Sequence, residues 1–586
     1  MSLRSYVTKT LEYSDFFEDQ PKAPEHYLSK INKRWLIESV IHMISVDRFD
    51  SFSMKAEQGL LVMFQDYTER PQVQQLFRKL HTLENRYQGV WLTLINHQAL
   101  FRLLRTALMM PNEKEGIGES FEAYKSLLEA TLAENSREMV REREILSKIG
   151  EDNPSIRDAM IFIQQDILNL DQFGENKKEI EKAQLLKYLL LCRFGNDYKE
   201  VGDAIKHVVN QSGFQSEYEY ILLANLPISI YHDKDHFGEG LISIRLDDFK
   251  EERGLRLWNA FVSYVSDKCL DVWDTERLKT VFEEGELLDN TCFRRYPVLK
   301  MSDDEYLLVS QTYYSHLFYD GFWWNVKKEL KKYLPEQTIM YVLTHEFSEK
   351  ILFYDVVSKM NGDRRIRQFN SNCFDGQQAA PDLALMTRRR LFLFEYKDMR
   401  VSRDVADGSD IDSIMNFLEN RLNKRKSESG GNKGLPQLVS NMEDFFSGIA
   451  PWGEISRKGN VKIYPILVVN SRLFGIRGVN YVLQSKLQQR IMESEILRNH
   501  MDAIGDLLVT DLDTMILVTS RSYKDFAQFQ RVFFGYQTHV KRPFDAYSKY
   551  DSFRNYVMNK WDAEKTDNHT RYFKKRYKAM VKALLR

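Results

Sequence analysis

The stretch from Ala379 to Lys397 constrains the fold more than any other part of the 586-residue chain. Pro381 has no N–H to give to a sheet ladder, so it marks the start of a strand. Leu383 to Thr387 is a short apolar run; Arg388, Arg389 and Arg390 interrupt it with charge; Leu391 to Tyr396 is a second apolar run that ends in charge. Two such runs around a charged tip predict adjacent antiparallel strands. Side chains alternate faces along a strand. Leu391, Leu393, Glu395 and Lys397 therefore share one face, and Phe392, Phe394 and Tyr396 share the other. With the tip near Arg388 and Arg389, Asp382 lies across from the Glu395–Lys397 end.

Two carboxylates and one ammonium at the end of a buried hairpin are costly unless they pair or hold an ion. Hard carboxylate oxygens suit Mg²⁺, which keeps most of its waters and binds through one or two carboxylates plus a substrate phosphate. A lysine beside that ion could orient or deprotonate an attacking water and screen charge developing on phosphate. The competing reading is a salt bridge from Lys397 to Asp382 or Glu395 that closes a strand end. Glu-x-Lys alone favours the salt bridge, because that tripeptide recurs by chance in any charged chain. Pro-Asp on the partner strand shifts the balance to a catalytic site.

Pro381-Asp382 followed by Glu395-Tyr396-Lys397 resembles the PD-(D/E)xK nuclease superfamily, the restriction-endonuclease-like fold. The resemblance implies a core ordered helix, three strands, helix, strand. The region can be read that way: a helix from about Glu336 to Met360, a strand around Ile366 to Phe369, the two motif strands, a helix beginning near Gln437, and a strand from Val461 to Val469. It further implies Mg²⁺ or Mn²⁺ held by Asp382, Glu395 and the backbone carbonyl of Tyr396. Lys397 would serve the water, and Gln437 would position a phosphate or the lysine. The acid that family members often carry on the first helix corresponds to Glu346 or Glu349. The expected activity is metal-dependent phosphodiester hydrolysis, with a DNA endonuclease favoured; the resemblance makes a prokaryotic defence system a plausible setting, though no residue points to it. The alternative is a catalytically inactive nuclease-fold module that binds DNA or a protein partner. The resemblance covers less than half of the chain.

The net charge of −1 means that any nucleic-acid surface is local rather than global. Cys192, Cys269, Cys292 and Cys373 are far apart, so a zinc site or disulfide framework is not expected, and free thiols suit a reducing cytoplasm. The N-terminus has no apolar signal region, and no run approaches a membrane span.

The expected fold class is mixed, α/β or α+β. Residues 1–285 form an all-helical N-terminal region, a candidate for target recognition, regulation, self-association or binding a protein partner. Residues 286–540 form the nuclease-like αβββαβ core, with an insertion at 399–434. Residues 541–586 form a basic, aromatic helical tail. Helices are expected over Trp35 to Val46, Val90 to Leu108, Ser120 to Ile149, Ile161 to Leu170, Glu179 to Arg193 and Leu255 to Val272. The Glu138 to Glu144 charge run reads as a solvated face. His42, His97 and His207 read as packed or surface histidines, and His232 and His236 as part of a loop. A hairpin is expected from Phe293 to Ser310, and a strand in the apolar run from Leu507 to Val518. Lys424, Arg425, Lys426 and Lys433 in the insertion, and Arg571, Lys574, Lys575 and Arg576 in the tail, are candidate phosphate contacts. A solvated basic helix face is the equal alternative for the tail.

Overall fold

The structure is a computed structural model. It describes residues 8–46, 54–111, 116–147, 154–168, 177–224, 242–249, 252–284, 289–362, 366–374, 380–399, 405, 411–423, 434–449, 451–452, 460–542 and 547–561. The chain is mixed α/β and divides into two compact units. The first comprises residues 1–147, 171–184 and 204–326, and the second residues 148–170, 185–203 and 327–586.

The first unit is mostly helical but contains two small sheets, which corrects the all-helical expectation. Strand β1 (Thr8–Thr10) pairs in parallel with β2 (Trp91–Thr93). The apolar run from Val90 is therefore a strand followed by the helix His97–Met109, not one helix. Asn96 sets that break, because its side chain accepts from the N–H groups of Gln98 and Ala99 and starts the helix there. Buried Asn135, from the helix Phe121–Ser147, donates to the carbonyls of Leu11 and Leu94, each at 2.9 Å, just past the ends of the two strands. The second sheet runs β3 (Ser243–Arg245), β6 (Glu305–Leu308), β5 (Val298–Ser302), β4 (Cys269–Asp271). Its β5–β6 pair is the expected hairpin, antiparallel around a short polar turn. Glu138, read as part of a solvated face, is buried and pairs with Arg102 at 2.8 Å and Arg141 at 3.5 Å. Trp323 is buried while neighbouring Trp324 is half exposed.

The second unit is built on a five-stranded sheet ordered β11-β10-β9-β8-β7. Its strands are β7 (Arg367–Asn370), β8 (Leu383–Met386), β9 (Arg390–Lys397), β10 (Lys462–Val469) and β11 (Leu508–Asp511). The first three form an antiparallel meander, and β10 and β11 add in parallel to β9. Leu391, Phe392, Leu393 and Phe394 are wholly buried, as a strand covered on both faces requires. Phe392 sits among Tyr464, Phe526, Phe529 and Phe533. Pro465 is tolerated within β10 because pairing with β11 starts only at Ile466. Ahead of β7 runs a helix in three segments, Glu336–Met340, Tyr341–Phe353 and Tyr354–Ser358, the middle one wound in π turns. The helix Leu435–Phe446 precedes β10.

Two boundaries differ from the sequence reading. The run from Leu507 leaves the sheet at Asp511, whose carboxylate accepts from the Thr514 backbone N–H at 2.9 Å and caps the helix Leu512–Arg521. The boundary near residue 285 is also displaced. The hairpin β5–β6 lies in the first unit, and the helix Pro154–Leu168 lies in the second. The reason for the second shift is a bidentate ion pair: Arg477 donates to Asp166, Nη2 to Oδ1 at 2.6 Å and Nε to Oδ2 at 3.1 Å, across 311 positions of sequence. Lys187 pairs likewise with Asp513, and Phe194 packs on Phe347.

Candidate active site

The site is assembled by strand register. Leu383 faces Phe394 across the β8–β9 pair, so Asp382, one residue before β8, falls opposite Glu395. Its Oδ2 accepts from the Tyr396 backbone N–H at 2.6 Å, which fixes the carboxylate beside β9. A strand residue's N–H and C=O point to the same side, so the Tyr396 carbonyl also lies on the Asp382 side. The turn itself is closed by Thr387 N–H donating to the Arg390 carbonyl at 2.9 Å.

Glu395 and Lys397 project from one face and form a direct ion pair. Glu395 is fully buried, and its Oε2 has no hydrogen-bond partner among the described residues. Gln437, in the first turn of the helix Leu435–Phe446, reaches the same face. Its Oε1 accepts from the Lys397 ammonium at 3.5 Å, and its Nε2 donates to the Ala380 carbonyl at 3.0 Å. One glutamine thus bridges the lysine to the segment that leads into Asp382.

The opposite face anchors the preceding helix. Tyr396 stacks on Phe353 at 4.8 Å between ring centres, and its hydroxyl shares a 2.6 Å hydrogen bond with Ser348. That contact separates the two candidate acids of the helix. Glu349 follows Ser348, and its charge acts on Asp382, Glu395 and Lys397. Glu346 is instead engaged by Lys350 at 2.8 Å. Glu349 is held by His345, Nδ1 to Oε2, at 3.1 Å. His345 is the residue that sequence reasoning missed; the only signal was its position four residues before an acid on a helix.

Burial dominates the electrostatics. It drives the Asp382 carboxyl up to about 6, helped by the charge of Glu349 and opposed by Lys397 and the Tyr396 N–H. Burial, and then the charge of Asp382, pushes Glu395 well above the usual carboxylate range. For Lys397 burial pulls the pKa down, but Glu395 and Asp382 outweigh it and hold the side chain as an ammonium. The site therefore carries more carboxylate than one lysine neutralises. An orphaned buried oxygen, a second carboxylate and a backbone carbonyl are hard donors of the kind Mg²⁺ or Mn²⁺ takes. Among the described residues, no three His, Cys, Asp or Glu side chains are grouped closely enough to hold an ion. Glu349 is thus an electrostatic neighbour rather than a third ligand in this arrangement.

Asp382, Glu395, Lys397 and Gln437 are brought together. Lys424, Arg425, Lys426, Lys433, Arg571, Lys574, Lys575 and Arg576 lie outside the described residues, as do His232 and His236. No helix among the described residues is long and apolar enough to cross a membrane. Compared with known proteins, the chain matches no protein-family model, no curated protein and no solved structure.

Proposed function

We propose that the second unit hydrolyses phosphodiester bonds in nucleic acid with a divalent metal, as a PD-(D/E)xK nuclease would, and that DNA is the favoured substrate. The observation that carries this reading is the buried Glu395 oxygen with no hydrogen-bond partner, beside Asp382 and the Lys397 ammonium. An unsatisfied, fully buried carboxylate oxygen costs about 1–3 kcal/mol, a cost that a bound cation would remove. The helix–meander–helix–strand order around the site further supports it.

Asp382, Glu395 and the Tyr396 carbonyl would hold Mg²⁺ or Mn²⁺. When bound, the ion supplies charge neutralisation at the phosphoryl oxygens and acidifies water. Lys397 orients the attacking water and places an ammonium where negative charge grows on the phosphoryl group. Gln437 keeps the lysine aimed, being tied to the Ala380 carbonyl at its other end. Tyr396 fixes Asp382 through its N–H and the first helix through its hydroxyl. The new P–O bond forms to the water oxygen, whose proton is released to solvent, the ester P–O bond breaks, and the leaving oxygen takes a proton from solvent. The test is cleavage of plasmid and single-stranded substrates with Mg²⁺ or Mn²⁺ by wild type and Lys397→Ala. Equal cleavage by both, or none by wild type, overturns the reading.

A further inference from the structure

We infer that Tyr341 and His345 form a shelf on which an unpaired base of the substrate strand stacks. This rests on the nucleic-acid reading above and narrows it to strands that are single or locally open.

Tyr341, His345 and Glu349 follow one another at spacings of four along the helix, and each touches the next or shares its charge. The Tyr341 and His345 rings lie 5.0 Å apart at 44°. Tyr341 is 53% exposed, while the next two residues, Val342 and Leu343, are buried. Its neighbour Glu346 accepts from Lys350 at 2.8 Å. His345 is held by Glu349, Nδ1 to Oε2, at 3.1 Å. The Tyr341 ring rests against this fixed imidazole, so a partner that covers the pair has less left to order.

The ridge leads to the catalytic end of the sheet. Ser348, beside Glu349, is bonded to Tyr396, whose N–H fixes Asp382. Eight residues separate Glu349 from Tyr341, at most about 12 Å at the α-helical rise. The ridge also bears Glu346 and Glu349, which repel phosphates. The strand must then present bases to it rather than backbone. A closed duplex hides its base faces inside the stack, whereas an unpaired base offers one to an aromatic ring.

The experiment uses the full chain carrying Lys397→Ala, with Ca²⁺ and oligonucleotides labelled with 2-aminopurine. Single-stranded DNA, single-stranded RNA and blunt duplex form the three arms. Single strands should bind more tightly than duplex and quench the probe. Adding Tyr341→Ala should weaken single-strand binding about tenfold and abolish the quench, while Tyr341→Trp retains both. Duplex affinity should stay within about twofold, because its base faces are hidden. The stronger of the DNA and RNA arms identifies the sugar, and quenching in either supports the shelf. Equal binding of duplex and single strand, unaltered by Tyr341→Ala, overturns it. Quenching without cleavage of any substrate by wild type leaves the shelf standing and removes the hydrolytic reading. Cleavage at wild-type rates by Tyr341→Ala alone on single strands does the reverse.

Discussion

Replacing Asp382 with asparagine should make the metal-free protein more stable, and the gain should depend on pH. The carboxyl is raised from 3.8 to about 6, mainly by burial. The folded chain therefore holds that proton more tightly than the unfolded chain. Across this window the folded state binds more protons, so stability falls as pH rises from 3.8 through about 6. The full loss, above the folded pKa, is about 3 kcal/mol. Asparagine does not titrate, and its Oδ1 still accepts the Tyr396 N–H bond that Asp382 makes at 2.6 Å. The variant should match wild type near pH 4 and exceed it by up to about 3 kcal/mol near pH 8. Saturating Mg²⁺ should close the gap, since a ligand at 100 times its Kd stabilises by about 2.7 kcal/mol. Urea denaturation in chelator at several pH values, repeated with Mg²⁺, reads all three terms. If Asp382→Asn is less stable than wild type near pH 8, or the gap does not change with pH, the buried-charge reasoning is refuted.

Lys397→Ala strands Glu395 without its partner, so metal-free stability should fall by about 3–5 kcal/mol. Mg²⁺ should restore much of it, and melts with and without metal measure this. Gln437→Ala removes bonds to Lys397 and to the Ala380 carbonyl and should cost about 1–2 kcal/mol. Its cleavage rate should fall more than its substrate affinity, which steady-state kinetics separates. Asp166→Ala removes the carboxylate that accepts two hydrogen bonds from the Arg477 side chain and should destabilise the second unit by about 3–5 kcal/mol. A fragment starting at residue 286 lacks Asp166, Lys187 and Phe194, so it should fail to fold on its own. A cooperative melt of that fragment would contradict the unit assignment.

The hairpin and its acids were legible because period-two alternation is local. Once Arg388 and Arg389 mark a turn, the register that sets Asp382 opposite Glu395 follows from counting. Gln437 was legible only through the family resemblance; nothing in its own neighbours predicts a bond to Lys397. The choice between Glu346 and Glu349 needed the Ser348–Tyr396 contact, 48 positions apart. The unit boundary was not legible, because an amphipathic helix such as Pro154–Leu168 shows which face it buries, not against what. Strand β2 failed for another reason. Three residues are too few to show a period, and their pairing with β1 is set by position in space. The Leu507 run is ambiguous by hydrophobicity, yet Asp511 with Thr514 three residues on was a readable cap.

The most direct test of the central claim is a cleavage assay with Mg²⁺ and Mn²⁺ on plasmid and single-stranded DNA, with wild type beside Lys397→Ala and Glu395→Gln. The account predicts metal-dependent cleavage by wild type, none in chelator, and none by either variant. Wild type that cleaves nothing and shows no metal-dependent melting shift, with Glu395→Gln melting identically, would make the constellation a structural ion pair and contradict the account.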